Sequence, residues 1–315
     1  MHVLVTGGAG FIGSSLARAL LERGDEVSVI DNFNDYYDPA LKERNVADLL
    51  EHKSFRLHRD DFTDKYAVDE LFGVYPFDVV AHLGAMANVR YSIDHAEEFV
   101  HSNIVGTTHL LNAAVSHGVK HFVFASTSSV YGQRDDVPFK ETDPTDLPLA
   151  PYPATKKAGE VLGYAYHNMH GLNFTALRFF NVYGPRGRPD MMPYKVFKAL
   201  LEEREITLFD GGRLSRDWTY IDDIVQGVLA AIDRPMGYER INLGRGEPVA
   251  MTEFMEITRE ISGKTPKIVD VRAPASEPKI TYADISKARE LLGYNPETSL
   301  REGLKNFWEW LAAAD

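Results

Sequence analysis

Hydrophobic and polar positions in the first half of the chain switch repeatedly between two rhythms. Short β-rich runs at Val3–Thr6, Glu26–Ile30, Phe55–His58, Val79–His82, His121–Ser126 and Asn173–Arg178 predict strands. Between them lie helical periods near Phe11–Arg23, Ala96–His117 and Tyr152–His170. In the second of these, Ala96, Phe99, Val100, Asn103, Ile104, Thr107, Leu110, Leu111 and Ala114 fall on one stripe, close to the helical period. Strands alternating with helices imply right-handed crossovers, which build a parallel sheet. The pattern therefore predicts a doubly wound α/β domain over residues 1–180. After about residue 180 the segments become mostly helical and richer in Pro, Arg and aromatics. A smaller, mostly helical substrate domain is expected over residues 181–315, with some later segments returning to the first domain.

Composition narrows the class. With 315 residues, 44% apolar and 25% charged, the chain can bury a sizeable core. No apolar run approaches the ~18–20 residues of a membrane span. The opening Met1-His2-Val3-Leu4-Val5-Thr6-Gly7 runs straight from strand into turn, so no secretory signal is expected. Cysteine is absent, which removes disulfides, thiolate catalysis and Cys-ligated zinc; a cytoplasmic location is the expectation. The net charge of −12 argues against a nucleic-acid-binding surface, because neutralising phosphates needs a basic face. A small anionic ligand needs only a local cluster, such as Arg186, Arg188, Arg213 and Arg216.

Gly7-Gly8-Ala9-Gly10-Phe11-Ile12-Gly13 follows the first predicted strand and opens the first predicted helix. Its spacing satisfies G-x-G-x-x-G from Gly8 and G-x-x-G-x-x-G from Gly7. Glycines there permit a tight turn and close approach of backbone to a pyrophosphate, which also meets the N–H donors of a helix N-terminus. The motif alone is weak, but Asp31 closes the second strand at the distance where a carboxylate accepts hydrogen bonds from an adenosine ribose. No Lys or Arg follows until Lys42, so a 2′-phosphate would meet repulsion, and NAD is favoured over NADP. This reading makes the first domain a Rossmann dinucleotide-binding unit with Gly7, Gly10, Phe11, Ile12, Gly13, Asp31 and Asn32 at the cofactor. Asp61 and Phe62 after the third strand, and Leu83 and Ala85 after the fourth, fall where strand ends line the crevice.

Tyr152 and Lys156 are four apart on the third predicted helix and share a face. In a chain with 15 tyrosines this spacing also arises by chance, and Tyr194/Lys198 is a second instance. Context separates the two. Tyr152 is preceded by the hydroxyl-rich strand end Ser126-Thr127-Ser128-Ser129-Val130-Tyr131-Gly132, which belongs beyond the carboxyl edge of the sheet. A tyrosine titrates near ~10, so a base useful near neutral pH needs stabilisation of its phenolate by roughly 4 kcal/mol. An adjacent ammonium and a positive nicotinamide ring act in that direction. Lys156 can also hold the nicotinamide ribose, and Thr127 can relay the proton of the reacting hydroxyl. No side chain of this set accepts hydride, so that work falls to the cofactor.

The start Thr6-Gly7-Gly8-Ala9-Gly10-Phe11-Ile12-Gly13, the strand end Thr127–Gly132 and the Tyr152/Lys156 helix together resemble extended short-chain dehydrogenases/reductases acting on sugar nucleotides. So do Arg178-Phe179-Phe180-Asn181-Val182-Tyr183-Gly184-Pro185 and Arg216-Asp217-Trp218-Thr219-Tyr220-Ile221-Asp222-Asp223. The resemblance spans essentially the whole chain in the same order. Asp31-Asn32-Phe33-Asn34-Asp35-Tyr36-Tyr37-Asp38-Pro39 and Gly187-Arg188-Pro189-Asp190-Met191 look like the UDP-glucuronate 4-epimerases within that family.

The resemblance implies reversible epimerisation at C4 of UDP-glucuronate to UDP-galacturonate through a 4-keto intermediate, with tightly held NAD as transient hydride acceptor. It makes Thr127, Tyr152 and Lys156 catalytic, with Tyr152 taking the proton of the 4-hydroxyl. It places Thr127, Ser128, Ser129 and Asn181 at the sugar, counts Arg90 among the substrate contacts, and puts Ser126 and Asn103 beside the cofactor and catalytic residues. Arg188 becomes a clamp for the sugar carboxylate, a role that suits a bidentate guanidinium fork. Such restraint has a chemical purpose, because a 4-keto uronate is a β-keto acid that loses CO2 when its carboxylate stands orthogonal to the ring carbonyl. Arg216 and Arg272 fall to the diphosphate. A homodimer is implied, through the helices near 96–117 and 152–170. Two departures from the family pattern are Pro153, tolerated in a first helical turn, and Asn88 with Met86, where relatives often have glycine.

Other activities make different demands. A UDP-glucose/UDP-galactose 4-epimerase needs no carboxylate clamp. A 4,6-dehydratase commonly carries an Asp-Glu pair after the strand-end Thr, and a UDP-xylose-forming decarboxylase usually carries a Glu there; this chain has Ser128 and Ser129. A non-catalytic NAD-sensing protein has little reason to keep Thr127, Tyr152 and Lys156 together. No metal is expected, because the 11 histidines are scattered and the chemistry needs none.

Overall fold

The computed structural model describes residues 1–314. Strand β1 (His2–Thr6) lies in the interior of its main sheet, and Val3, Leu4 and Val5 are fully buried, as strands covered on both faces are. The chain first builds outward on one side of it with β2 (Glu26–Ile30) and β3 (Phe55–His58), all in parallel register. It then returns to the other side with β4 (Val79–His82), β5 (His121–Thr127) and β6 (Asn173–Phe179). The strand Tyr238–Leu243 pairs in parallel with β6 and completes a sheet of seven. The order reverses between β1 and β4, and in doubly wound sheets that switch point opens a ligand crevice at the carboxyl ends of the strands.

Every strand expected in the first half is present, with bounds moved by at most a residue. Two further helices cross between them. Pro39–Val46 starts on Asp38, whose carboxylate accepts from the Ala40 N–H, and Lys65–Val74 starts on Asp64, which accepts from Tyr66 and Ala67. The helix expected over 96–117 is interrupted. Regular turns at Ala96–Val100 and Thr107–Ser116 flank a π-helical turn, His101–Gly106. The wide turn lets Asn103 reach across to other segments, and the Thr107 hydroxyl donates to the Asn103 carbonyl at 2.7 Å.

Beyond β6 the chain builds a second layer of structure above the crevice. It contains the helices Met192–Leu201 and Met251–Ser262, and a small parallel ribbon of Glu205–Phe209 with Lys267–Val271. The helix Ile221–Ile232 packs back against the first helix, Phe11–Glu22. Among the described residues no helix is long and apolar enough to cross a membrane.

Candidate active site

The turn after β1 is shaped by contacts that exclude side chains. Gly7 has φ +65°, and a Cβ there would stand 2.6 Å from the Gly84 Cα; one on Gly13 would stand 2.2 Å from the Gly7 carbonyl oxygen. The backbone is thereby left open to the crevice at the start of the helix Phe11–Glu22. Asp31 ends β2 beside it, accepting from the Ala9 N–H at 3.0 Å and the Phe33 N–H at 2.9 Å. Asn32 donates to Asp61 at 2.7 Å, which joins the ends of β2 and β3.

A cavity of about 1510 Å³ covers these strand ends. Its dinucleotide side is lined by Gly7, Gly10, Phe11, Ile12, Gly13 and Asp31, with Asn32, Asp61, Phe62, Leu83 and Ala85 from the next strand ends. The end of β5 contributes Ser126, Thr127, Ser128 and Ser129, and the helix Pro151–His170 contributes Tyr152 and Lys156. Later segments add Asn181, Arg188 and Arg216. Arg90 also lines the cavity. A buried glycine turn, an acidic strand end and a space of this size fit a dinucleotide, and leave room for a second ligand.

At the centre, the Tyr152 phenol and Thr127 line the cavity together, with Thr127 near enough to act on the phenol. Burial pushes that phenol above its ordinary value, while Thr127 and the charge of Arg188 oppose the rise. Lys156 is only 2% exposed, and burial pushes its ammonium down to about 7. It lies 4.7 Å from the centroid of the Phe124 ring. The cation acting on the phenol from within the protein is thus Arg188, a residue expected only at the substrate carboxylate. Ser126 donates to Glu160 at 2.7 Å, and Glu160 forms a two-point pair with Arg178 at 2.8 and 2.7 Å beneath the site.

Asn181 is oriented by a chain of donors. The Asp217 N–H donates to the Thr281 hydroxyl at 3.2 Å, and that hydroxyl donates to Asn181 Oδ1 at 2.8 Å. The Asn181 amide therefore turns its Nδ2 donors away from Thr281. Arg188 is more constrained than a simple clamp. Its Nε and Nη2 donate to the two oxygens of Asp190 at 2.9 and 2.7 Å, and Nη2 also reaches the Ala87 carbonyl. Asn88 and Tyr36 donate to the same carboxylate at 2.8 and 3.2 Å. Burial would push Asp190 up, but Arg188 and these donors outweigh it and hold the carboxyl below its ordinary value.

Arg90 and Arg216 converge on one carboxylate, donating to Glu277 at 2.9 and 2.8 Å from two different elements. Two expected contacts lie elsewhere. Arg272 is exposed after the ribbon strand Lys267–Val271 and does not line the cavity. Asn103 is 1% exposed and also off the cavity surface, because its amide is committed to Met86 and Thr155 at 2.9 Å each. Tyr194, of the competing spacing pair, sits on Met192–Leu201 with its ring 6.1 Å from Phe307, and Lys198 lies 3.5 Å from Glu202. Among the described residues no group of acidic and imidazole side chains could hold a metal ion. Tyr36 and Asp190 lie in the two stretches that carry the epimerase resemblance but have no role assigned from sequence, and Glu277 lies outside every motif. Asp190 had a local signal, two residues after Arg188 and with opposite charge; Glu277 had none.

A dinucleotide turn joined to a Thr/Tyr/Lys set at a strand end defines an enzyme that oxidises a carbinol carbon with a nicotinamide cofactor. The sequence model of the GDP-mannose 4,6 dehydratase family matches residues 4–307. UDP-glucuronate 4-epimerase of Thermodesulfobacterium geofontis is 43% identical over 310 residues, covering 98% of this chain and 95% of that protein. UDP-glucuronate 4-epimerase 3 of Arabidopsis thaliana is 43% identical over 98% of this chain and 76% of its own length. The crystal structure of the Bacillus cereus UDP-glucuronic acid 4-epimerase with UDP-glucuronic acid and NAD superposes with a TM-score of 0.94, at 37% identity over all of both chains. The UDP-glucose 4-epimerase of Thermotoga maritima with UDP-glucose gives 0.92 at 31% identity, over 100% of this chain and 99% of that one. The chain belongs to the sugar-nucleotide epimerase/dehydratase family of extended short-chain dehydrogenases/reductases, and within it to the UDP-glucuronate 4-epimerases.

Proposed function

We propose that the protein interconverts UDP-glucuronate and UDP-galacturonate by oxidation and re-reduction at C4, with NAD as its cofactor. The observation that carries this is Thr127 and the Tyr152 phenol lining the same cavity as the glycine turn, Asp31 and Arg188. Bound NAD supplies the hydride acceptor and donor, together with a positive ring that favours phenolate. Tyr152 takes the C4 hydroxyl proton and returns it, and Thr127 orients that hydroxyl. Lys156 holds the nicotinamide ribose. Ser128, Ser129 and Asn181 meet the sugar, and Arg188 meets its carboxylate. Arg90 and Arg216 meet the diphosphate, with Glu277 holding them beforehand. The relatives named for UDP-glucuronate, and those crystallised with it and NAD, support the same assignment.

The neutral-hexose reading is weaker because Arg188 and its partners furnish a cation that a hexose does not need. A homodimer is the accompanying proposal, supported by exposed Val100 and Val105 on the 96–116 segment and by Val161, Tyr164 and Met169 on the helix Pro151–His170. A cytoplasmic setting accords with the cysteine-free composition. The deciding experiment incubates purified protein with UDP-glucuronate, adding no NAD, and follows UDP-galacturonate by NMR. Product is expected; its absence both with and without added NAD would refute the reading.

A further inference from the structure

Beneath the cavity, and outside the groups that touch either ligand, lies a continuous line of buried polar contacts. It begins at the last residue of β1, where the Gly84 N–H donates to the Thr6 hydroxyl at 3.0 Å. Thr6 Oγ1 lies 2.6 Å from His82 Nδ1, and His82 Nε2 lies 2.9 Å from Thr107 Oγ1. Thr107 donates to the Asn103 carbonyl in the π-helical turn. Asn103 Nδ2 donates to Thr155 at 2.9 Å, and Thr155 donates to the Tyr152 carbonyl at 2.8 Å. Thr6, His82 and Thr107 are fully buried, Asn103 is 1% exposed and Thr155 3%.

The proton positions follow from the donors and acceptors. The single hydroxyl hydrogen of Thr107 goes to Asn103, so its oxygen accepts, and His82 carries its proton on Nε2. In the neutral ring Nδ1 is then an acceptor, so the Thr6 hydroxyl donates to it. Neutrality is enforced by the surroundings. The Phe62, Phe122 and Phe124 rings stand 5.3, 5.8 and 5.7 Å from the imidazole, and burial with nearby Lys156 keeps it well below its ordinary titration range. The imidazole thus has one protonation state and one tautomer, with both nitrogens engaged.

We infer that His82 is a positioning residue that ties the cofactor turn to the catalytic helix, so that NAD retention and the placement of Tyr152 stand or fall together. One end of the line is the residue before Gly7, whose backbone frames the turn; the other is the carbonyl of Tyr152 itself. The Gly7 turn rests on Gly84 by backbone contact, and Gly84 is held by Thr6, which His82 orients. At the far end, Asn103 also clasps both main-chain groups of Met86, which carries the cavity wall from β4 toward Arg90.

The test uses purified holoenzyme and His82→Phe, which keeps a planar aromatic ring, slightly larger than imidazole, and removes both hydrogen bonds. His121→Phe is the control, being the same exchange at another fully enclosed histidine of the sheet, one that bonds Thr175 and not this line. Three readouts are taken: loss of bound NAD on dilution, amide hydrogen exchange at the first turn of Pro151–His170, and kcat against KM for UDP-glucuronate. We expect His82→Phe to release NAD about tenfold faster, to lose protection around residues 152–156, and to lower kcat about tenfold or more with KM little changed. His82→Gln, which can restore a donor to Thr107, should recover part of both effects, and His121→Phe should show neither. Thr6→Val and Thr107→Val, each cutting the two links on one side of His82, should each reproduce part of the loss, and together less than the product of the two; they decide the matter if His82→Phe does not fold. The proposal is overturned if His82→Phe matches His121→Phe in NAD release, or if NAD release accelerates while exchange at the catalytic helix is unchanged. The kcat readout rests on the proposed epimerase activity, whereas NAD release and exchange do not, so a failure of either idea is read separately.

Discussion

Asp190 grips the Nε and Nη2 edge of Arg188 at 2.9 and 2.7 Å, so the arginine assigned to a substrate carboxylate already holds a carboxylate of the protein. The fork expected to face the sugar is occupied, and the guanidinium is pinned from the side by Asp190, with Asn88 and Tyr36 behind it. Two consequences follow. Arg188 keeps its charge beside the Tyr152 phenol whether or not a uronate is bound, and it meets a substrate either through Nη1 or after leaving Asp190.

Arg188→Ala is therefore expected to hurt twice. UDP-glucuronate should bind about 10- to 100-fold more weakly through loss of a charge-assisted contact, and CO2-losing by-products should rise. UDP-glucose, lacking the carboxylate, should lose much less affinity. Isothermal titration with both nucleotides and NMR of the products check this; equal losses for the two sugars would remove the carboxylate assignment.

Tyr152→Phe keeps the ring and removes the acid/base group. Turnover should fall by about 10²–10⁴-fold, the range for general acid–base catalysis, while bound NAD and substrate affinity persist. Thr127→Val should cost less, because it removes a group that orients the reacting hydroxyl and leaves the acid/base group in place. Steady-state rates together with the NAD content of the purified variants separate these outcomes. A Tyr152→Phe enzyme with near-normal kcat would move the base elsewhere.

Glu160 and Arg178 form a fully enclosed ion pair behind β5, with Ser126 donating to the former and the Tyr131 hydroxyl bonded to the latter at 2.9 Å. Removing one partner strands the other charge out of water. Glu160→Ala should destabilise the fold by about 3–5 kcal/mol, far more than any exposed pair such as Lys305–Glu309. Urea denaturation of Glu160→Ala beside Lys305→Ala is the comparison, and similar midpoints would contradict the account.

The parts of the site legible from sequence are those whose geometry is local. The glycine turn follows from the spacing of Gly7, Gly10 and Gly13, and the Tyr152/Lys156 face follows from one helical turn. The acidic end of β2 needed only the strand pattern. What escaped depends on segments that meet after the sheet has assembled. Arg90 and Glu277 are 187 residues apart, and their pairing is set by the ribbon and loop above the crevice. The same is true of the strand Tyr238–Leu243, whose place beside β6 no local pattern dictates. The π-helical turn at 101–106 was hidden for another reason: its apolar stripe is almost regular, and the extra residue in the turn is selected by what Asn103 reaches. Lys156 packs on Phe124 and is itself pushed down to about 7, so the protein charge that opposes the rise of the Tyr152 phenol is that of Arg188, which no local spacing foretells.

His121 opens β5 at 1% exposure, with Nε2 bonded to Thr175 at 2.9 Å. Burial pushes its imidazole down from 6.5 to about 4, against a weak opposing bond to the Ile232 carbonyl. Between those two values the unfolded chain binds a proton that the folded chain refuses. Stability is therefore full above the unfolded value and falls as the pH drops through this window, by an amount on the order of 3 kcal/mol. His82, held well below its ordinary range by burial, adds in the same direction. Urea denaturation of the wild type at a series of pH values through this window should show the loss, superimposed on that from carboxylates. His121→Phe sacrifices the Thr175 bond at every pH but has no proton to refuse, so its stability should fall less steeply over the same interval. Parallel curves for the two proteins would mean that His121 is protonated in the folded state.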